Sequence, residues 1–158
     1  MNNETIVFTN GVFDLLHYGH IKFLEACSLL GDILVVGINS DTSVKKLKGK
    51  YRPFISEKYR REMLEALEFV DEVIIFDGDN PVHIIEQLQP DIYVKSSEYK
   101  GVYLPEFLAV QDYGGTIVII DPSDEMKQFS TTKIADLIFR REFERRVGLN
   151  VDSRGYDY

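Results

Sequence analysis

Two histidines three residues apart, His17 and His20, close the stretch TNGVFDLLHYGH at residues 9–20, which directly follows the apolar run at 6–8. If the local backbone is helical, residues at that spacing carry Cβ atoms about 5–6 Å apart, so both imidazoles could reach one polyphosphate. A nearby phosphate favours the protonated imidazole, which is a good electrostatic partner for charge developing on a leaving group. Gly11 has no side chain to hold a ligand away from the backbone, and Gly19 could serve the same purpose just before a helix. A helix beginning near His20 would turn its free N–H groups toward the same space. The chain has neither G-x-x-x-x-G-K-[ST] nor G-x-G-x-x-G, so phosphates would have to be held in some such other way.

Other residues point to anions as well. The formal net charge is −8, which argues against a general nucleic-acid binder. Yet residues 45–52, KKLKGKYR, hold Lys45, Lys46, Lys48, Lys50 and Arg52 without one carboxylate. Such a run reads as a solvated face or as the place where an anion arrives. Ser130, Thr131 and Thr132 would offer hydroxyls and N–H groups at a helix start, an anion site on independent physical grounds.

The elements that must position these groups alternate along the chain. Strands are expected at 5–9 (TIVFT), 32–38 (DILVVGI), 72–76 (EVIIF), 91–95 (DIYVK) and 116–121 (TIVIID). Helices are expected at 20–30 with a stop at Gly31, and from a Ser56 cap to about 69. Others run from Asn80-Pro81 through Gln89, over 105–113, and over 131–147 behind a Ser130 cap. Strand–helix alternation with short connections means an α/β fold, a parallel sheet covered by helices on both faces. Such sheets bind ligands beyond the carboxyl ends of their strands, where the strand order reverses. The unusual residues gather at those ends: TNGVFDLLHYGH after strand one, NSDTS after strand two, SSEYKG after strand four and FSTTK beyond strand five.

Length and composition fit one soluble domain over 1–147, followed by a flexible tail at 148–158 that lacks an apolar period. No apolar run approaches the twenty or so residues of a bilayer span. The residues MNNE lack the basic and apolar regions of a secretory signal. The one cysteine, Cys27, reads as a small core residue and fits a reducing cytoplasm.

TNGVFDLLHYGH resembles the H-x-G-H signature of the nucleotidyltransferase superfamily, which includes the small cytidylyltransferases and the bacterial heptose-phosphate adenylyltransferases. The resemblance runs from residue 6 to about 138. It takes in LGD at 30–32, NSD at 39–41, LKG at 47–49 with RP at 52–53, R-x-x-M-L at 60–64, VDEV at 70–73, PD at 90–91 and STTKI at 130–134. It implies a Rossmann-like five-stranded sheet in the order 3-2-1-4-5 and transfer of a nucleotidyl group from a nucleoside triphosphate to an acceptor phosphate. Mg²⁺ would be bound through the nucleotide phosphates, with no metal site of the protein's own. TNGVFD, NSD, F-x-x-D-x-P at 76–81 and LQPDIYVK look most like the adenylyltransferases acting on heptose 1-phosphate, which use ATP. The alternative is a glycerol-3-phosphate or aminoalcohol-phosphate cytidylyltransferase using CTP. An alternative of another class is a non-catalytic nucleotide sensor.

The roles carried over are these. Thr9, Asn10, Gly11 and Phe13 would line the triphosphate turn, and Asp41 resembles a position near the nucleotide. His17 and His20 would stabilise the departing pyrophosphate. Lys48 and Lys45 would close over the phosphates from the loop after strand two, and Arg60 would bind the acceptor's phosphate. Ser130, Thr131 and Thr132 complete the nucleotide site. Asp14 reads equally as a turn cap and as a substrate ligand, while Asp41, Thr131 and Thr132 have simple turn or first-turn readings too. Lys95, Ser97, Glu98 and Tyr99 stand where the family usually has K-G-G-D-Y. Ser96 and Ser97 would therefore narrow the acceptor pocket or add hydroxyl contacts. His83 reads as a surface or boundary residue, and the arginines of RREFERR as a solvated face or subunit contact. The related enzymes suggest a homodimer.

Overall fold

A computed structural model describes residues 4–121, 123 and 128–147. Five strands, β1 (Ile6–Gly11), β2 (Ile33–Asn39), β3 (Glu72–Phe76), β4 (Ile92–Ser96) and β5 (Thr116–Ile120), form one sheet in the order β3-β2-β1-β4-β5. Every neighbouring pair is parallel. The strands are rich in Val and Ile, whose branched side chains suit a pleated surface buried on both sides. The order reverses between β1 and β4, which pair through Val7–Ile92, Phe8–Tyr93 and Thr9–Val94. That pairing opens the ligand-binding crevice expected of such sheets.

Six helices accompany the strands among the described residues: α1 (Tyr18–Ser28), α2 (Asp41–Lys48), α3 (Glu57–Glu65), α4 (Val82–Leu88), α5 (Pro105–Asp112) and α6 (Thr131–Arg146). Alternation along β1 sends Val7 to one face and Phe8 to the other. Val7 joins Leu24 and Cys27 of α1 and Leu64 of α3, while Phe8 joins Ile84 and Ile85 of α4 and Ala109 and Val110 of α5. The expected tail at 148–158 lies outside the described residues.

One element differs in kind. The residues after β2, expected as a loop carrying the lysines, wind into α2. Ser40 caps it by accepting from the Ser43 N–H at 3.2 Å, and Lys45, Lys46 and Lys48 occupy the last turn, where the helix dipole favours cations. Val44 is buried but Leu47 is exposed, so the apolar period is too weak to announce a helix. Elsewhere the differences are at ends. Helix α1 starts two residues earlier than expected, because His17 serves as its cap. Helix α3 stops at Glu65, and turns closed by Leu67 N–Leu64 O and Val70 N–Leu67 O finish the segment.

Candidate active site

The end of β1 is built to hold a turn open. Thr9 is wholly buried, and its hydroxyl donates to Val94 O at 2.9 Å across the reversal point. That bond stitches β1 to β4 just before the turn expected to hold the nucleotide. Asn10 is half-buried and accepts at Oδ1 from the Tyr93 hydroxyl at 2.8 Å. A Cβ on Gly11 would lie 2.9 Å from the Phe13 ring, so that glycine makes room for Phe13 rather than for a ligand. Phe13 itself has φ 49°, in the left-handed region, and its buried ring meets His20 edge-on at 5.0 Å. Phe13 is thus a wedge under the turn, packed against His20.

His17 and His20 come together as expected. His17 is extended at φ −138°, and its Nδ1 accepts from the His20 N–H at 3.3 Å as the cap of α1. A neutral His17 that accepts at Nδ1 carries its proton on Nε2, which leaves a donor for a phosphate oxygen. The rings stack with centroids 3.6 Å apart and 19° between planes. Burial pushes the His20 imidazole down to about 3, His17 beside it adds to the effect, and the Leu15 backbone opposes it. Burial lowers His17 too. Two stacked rings sharing one desolvated corner repel as cations, so both are neutral until an anion supplies countercharge.

The start of α6 lies beside this corner, since Tyr18 packs on Phe129 with ring centroids 5.5 Å apart. Ser130 caps α6 as expected, its Oγ accepting from Lys133 N at 3.2 Å. That leaves Thr131 and Thr132 in the first turn, where backbone N–H groups lack partners within the helix.

Three charged residues expected to meet ligands have partners within the protein. Asp14 is buried, and its Oδ1 accepts from the backbone N–H groups of Phe54 and Ile55 at 2.6 and 2.9 Å. Its Oδ2 lies 2.6 Å from Arg52 Nε, an ion pair without an aligned hydrogen bond. The acid therefore anchors the segment after α2, in keeping with its reading as a turn residue. Arg60, expected on the acceptor's phosphate, is only 1% exposed. Its Nε donates to Ile55 O at 2.9 Å and one terminal nitrogen to Val12 O at 2.6 Å. The other terminal nitrogen donates to Asn39 O at 2.8 Å and Asp41 Oδ1 at 2.9 Å. Four of the five N–H groups of this guanidinium are thus committed to protein acceptors. Asp41, expected near the nucleotide, spends the same Oδ1 on Arg60 and on the Glu57 N–H. Lys45 and Lys48, by contrast, are exposed at the end of α2, free to meet an anion.

On the far side of the crevice, Lys95 is 6% exposed and pairs with Glu106 of α5 at 3.9 Å. Its ammonium lies 4.6 Å from the Tyr99 ring centre. Burial lowers the lysine, with Glu106 and then Glu98 opposing. Lys95, expected at the acceptor site, is thus a buried member of a pair with Glu106. Ser97 and Tyr99 are half-buried and Glu98 exposed, in a short 3-10 turn (Ser97–Tyr99). The Ser96 hydroxyl donates to Glu98 Oε1 at 3.0 Å. Ser96 and Ser97 adopt ordinary extended and 3-10 backbone, so the chain accommodates side chains there without strain. Tyr93 and Glu106 escaped sequence reasoning. Glu106 reads as a first-turn acid behind Pro105, and only the period-two pairing of Tyr93 with Lys95 hinted at a shared face.

His83 is exposed and Cys27 buried, as expected. The arginines of α6 face solvent, where Arg140 pairs with Glu144 and Arg145 and Arg146 with Glu142. Among the described residues, no helix is long and apolar enough to cross a membrane.

Known proteins resemble this chain in sequence and fold. The chain is 46% identical over 138 residues to the bifunctional protein HldE of Syntrophotalea carbinolica, which covers 87% of this chain and 28% of that protein. It is 48% identical over 137 residues to HldE of Campylobacter jejuni, again 87% of this chain and 28% of the relative. The chain thus spans little more than a quarter of the length of these curated relatives. Among solved structures, a lipopolysaccharide core biosynthesis protein from Thermoplasma volcanium superposes with a TM-score of 0.61 at 29% identity. That match covers 77% of this chain and 98% of the other. The cytidylyltransferase-like pattern spans residues 8–137, with the histidine pair and the α6 cap inside it, and the chain belongs to the cytidylyltransferase-like family.

Proposed function

We propose that the protein transfers an adenylyl group from ATP to a sugar phosphate such as heptose 1-phosphate, releasing pyrophosphate. An acceptor phosphate oxygen attacks the α-phosphorus as the bond to the bridging oxygen of the β-phosphate breaks, and pyrophosphate leaves with that electron pair. No covalent enzyme intermediate forms. Catalysis then consists of in-line positioning and neutralisation of charge on the leaving group.

The observation that carries this reading is the stacked pair His17 and His20 at the start of α1, over the reversal point of the sheet. Neutral imidazoles offer N–H donors to the triphosphate, and the arriving anion favours their protonation as negative charge gathers on the pyrophosphate. Lys48 and Lys45 approach from α2, and the first turn of α6 supplies backbone N–H groups. Among the described residues no three His, Cys, Asp or Glu side chains converge on one point. Mg²⁺ would come in on phosphate oxygens, which is its usual mode, and would neutralise phosphate charge there.

Kinship with HldE and with a lipopolysaccharide core biosynthesis protein favours a sugar phosphate as acceptor. A homodimer working in the cytoplasm completes the reading; one buried cysteine suits a reducing compartment. The test is a screen of the four nucleoside triphosphates against phosphorylated sugars and alcohols, read by pyrophosphate release. ATP with a sugar 1-phosphate is expected to turn over, while CTP with glycerol 3-phosphate gives little; the reverse pattern identifies a cytidylyltransferase. Saturable ATP binding without turnover for any acceptor identifies a sensor. His17→Ala and His20→Ala are each expected to lower turnover by about 10²–10³-fold with the far-UV circular dichroism unchanged. Unaltered turnover rejects their role.

A further inference from the structure

The Tyr93 hydroxyl is buried, with two side-chain oxygen groups near its single proton. One is Asn10 Oδ1, 2.8 Å away at the end of β1. The other is the carboxylate of Glu106, whose charge adds to burial in raising the phenol above its ordinary range. Glu106 is 5% exposed, and its Oε2 has no hydrogen-bond donor. A lone carboxylate would outcompete an amide oxygen for the phenolic proton, because hydrogen bonds to charged acceptors are the stronger kind. Lys95 changes that balance. Its ammonium stands 3.9 Å from Glu106 Oε1 and 5.8 Å from the centre of the Tyr93 ring, within the same enclosed space. The cation draws the carboxylate's charge toward itself and leaves the proton to Asn10.

That choice matters for the turn. An asparagine side chain presents either an acceptor oxygen or a two-proton donor to its surroundings. With Oδ1 accepting from Tyr93, both Nδ2–H groups of Asn10 remain to be offered to a ligand. In a corner meant for phosphates, the opposite orientation would set an oxygen against an anion.

We infer that Tyr93 is a positioning residue, which locks the Asn10 amide with its nitrogen available to the triphosphate, and that the buried pair of Lys95 with Glu106 keeps the phenolic proton directed at Asn10. This rests on the nucleotidyl-transfer reading. Tyr93 touches no substrate and acts through Asn10 alone.

Steady-state kinetics in ATP on four variants test it, after the unaltered protein's turnover has been established. Tyr93→Phe removes only the hydroxyl and is expected to raise KM for ATP about tenfold with kcat within about twofold, the size of one lost oriented hydrogen bond. Tyr93→Phe placed in Asn10→Ala is expected to add nothing further to KM, although both changes lower the melting temperature. Asn10→Asp keeps an acceptor for the phenol but removes the donor, so its KM is expected to exceed that of Asn10→Ala. An unchanged KM in Tyr93→Phe, effects on KM that multiply in the double variant, or an Asn10→Asp protein that binds ATP normally would each overturn the inference. Should Tyr93→Phe fail to fold, the comparison of Asn10→Asp with Asn10→Ala still decides. A wild-type protein inactive with every triphosphate and acceptor removes the nucleotidyl-transfer reading, and this inference with it. An active wild type with an indifferent Tyr93→Phe removes the inference alone.

Discussion

His20 shows how one side chain is prepared for an anion at a cost to the empty protein. Its folded-state pKa of about 3 lies below the ordinary 6.5, so below 6.5 the unfolded chain binds a proton that the folded chain refuses. Stability is therefore complete above about pH 6.5 and falls as pH drops from there toward 3, at up to about 1.4 kcal/mol per pH unit. His17 shifts in the same direction. Urea unfolding at about pH 7.5 and pH 5 is expected to differ by about 2 kcal/mol, with His20→Gln flattening the dependence. A histidine variant that keeps the full slope would mean that the acid sensitivity lies elsewhere. Bound triphosphate acts oppositely, because an adjacent anion raises both imidazoles and makes nucleotide binding take up protons.

Among the elements, the joint between β2, α2 and α3 is held by polar groups rather than by apolar packing. Asp41 at the start of α2 accepts from Glu57 N at 2.8 Å, and Glu57 at the start of α3 accepts from Asp41 N at 2.6 Å. Each helix start thus receives the other's carboxylate, a reciprocal version of N-terminal capping. Arg60 completes the joint by drawing Val12 O, Asn39 O and Ile55 O onto one guanidinium. Arg60→Met would leave those carbonyls and Asp41 without their donor, at about 3–5 kcal/mol as for breaking a buried pair. Thermal unfolding is expected to drop by roughly 10 °C, by the usual scaling for a chain of this size. Lysine is no substitute, since one ammonium cannot span the fork. A normal melting temperature with a raised KM for the acceptor would instead return Arg60 to substrate binding.

At the scale of the molecule, the two apolar layers seal the sheet, and Cys27 reports on that seal. It is fully buried on the inner face of α1, and burial pushes its thiol up to about 12. Thiol reagents at about pH 8 are expected to leave Cys27 unmodified in the folded protein and to react with it only on global unfolding, more slowly still with nucleotide bound. Rapid modification of the native chain would show that α1 opens locally. The strand–helix alternation, the sheet beneath it and the paired imidazoles were all legible in the residues, because periodicity and spacing act over a few positions. The Ser130 cap was legible for the same reason. Which charges find partners inside the protein was not. Asp14 and Phe54 are 40 positions apart, Arg60 and Val12 48, and Tyr93 and Asn10 83. Nothing in a local pattern says that a guanidinium will be consumed by carbonyls, or that a phenol will share its proton with a distant amide. Those assignments follow from where the chain crosses itself, and burial there demands that every polar group find its partner within the protein.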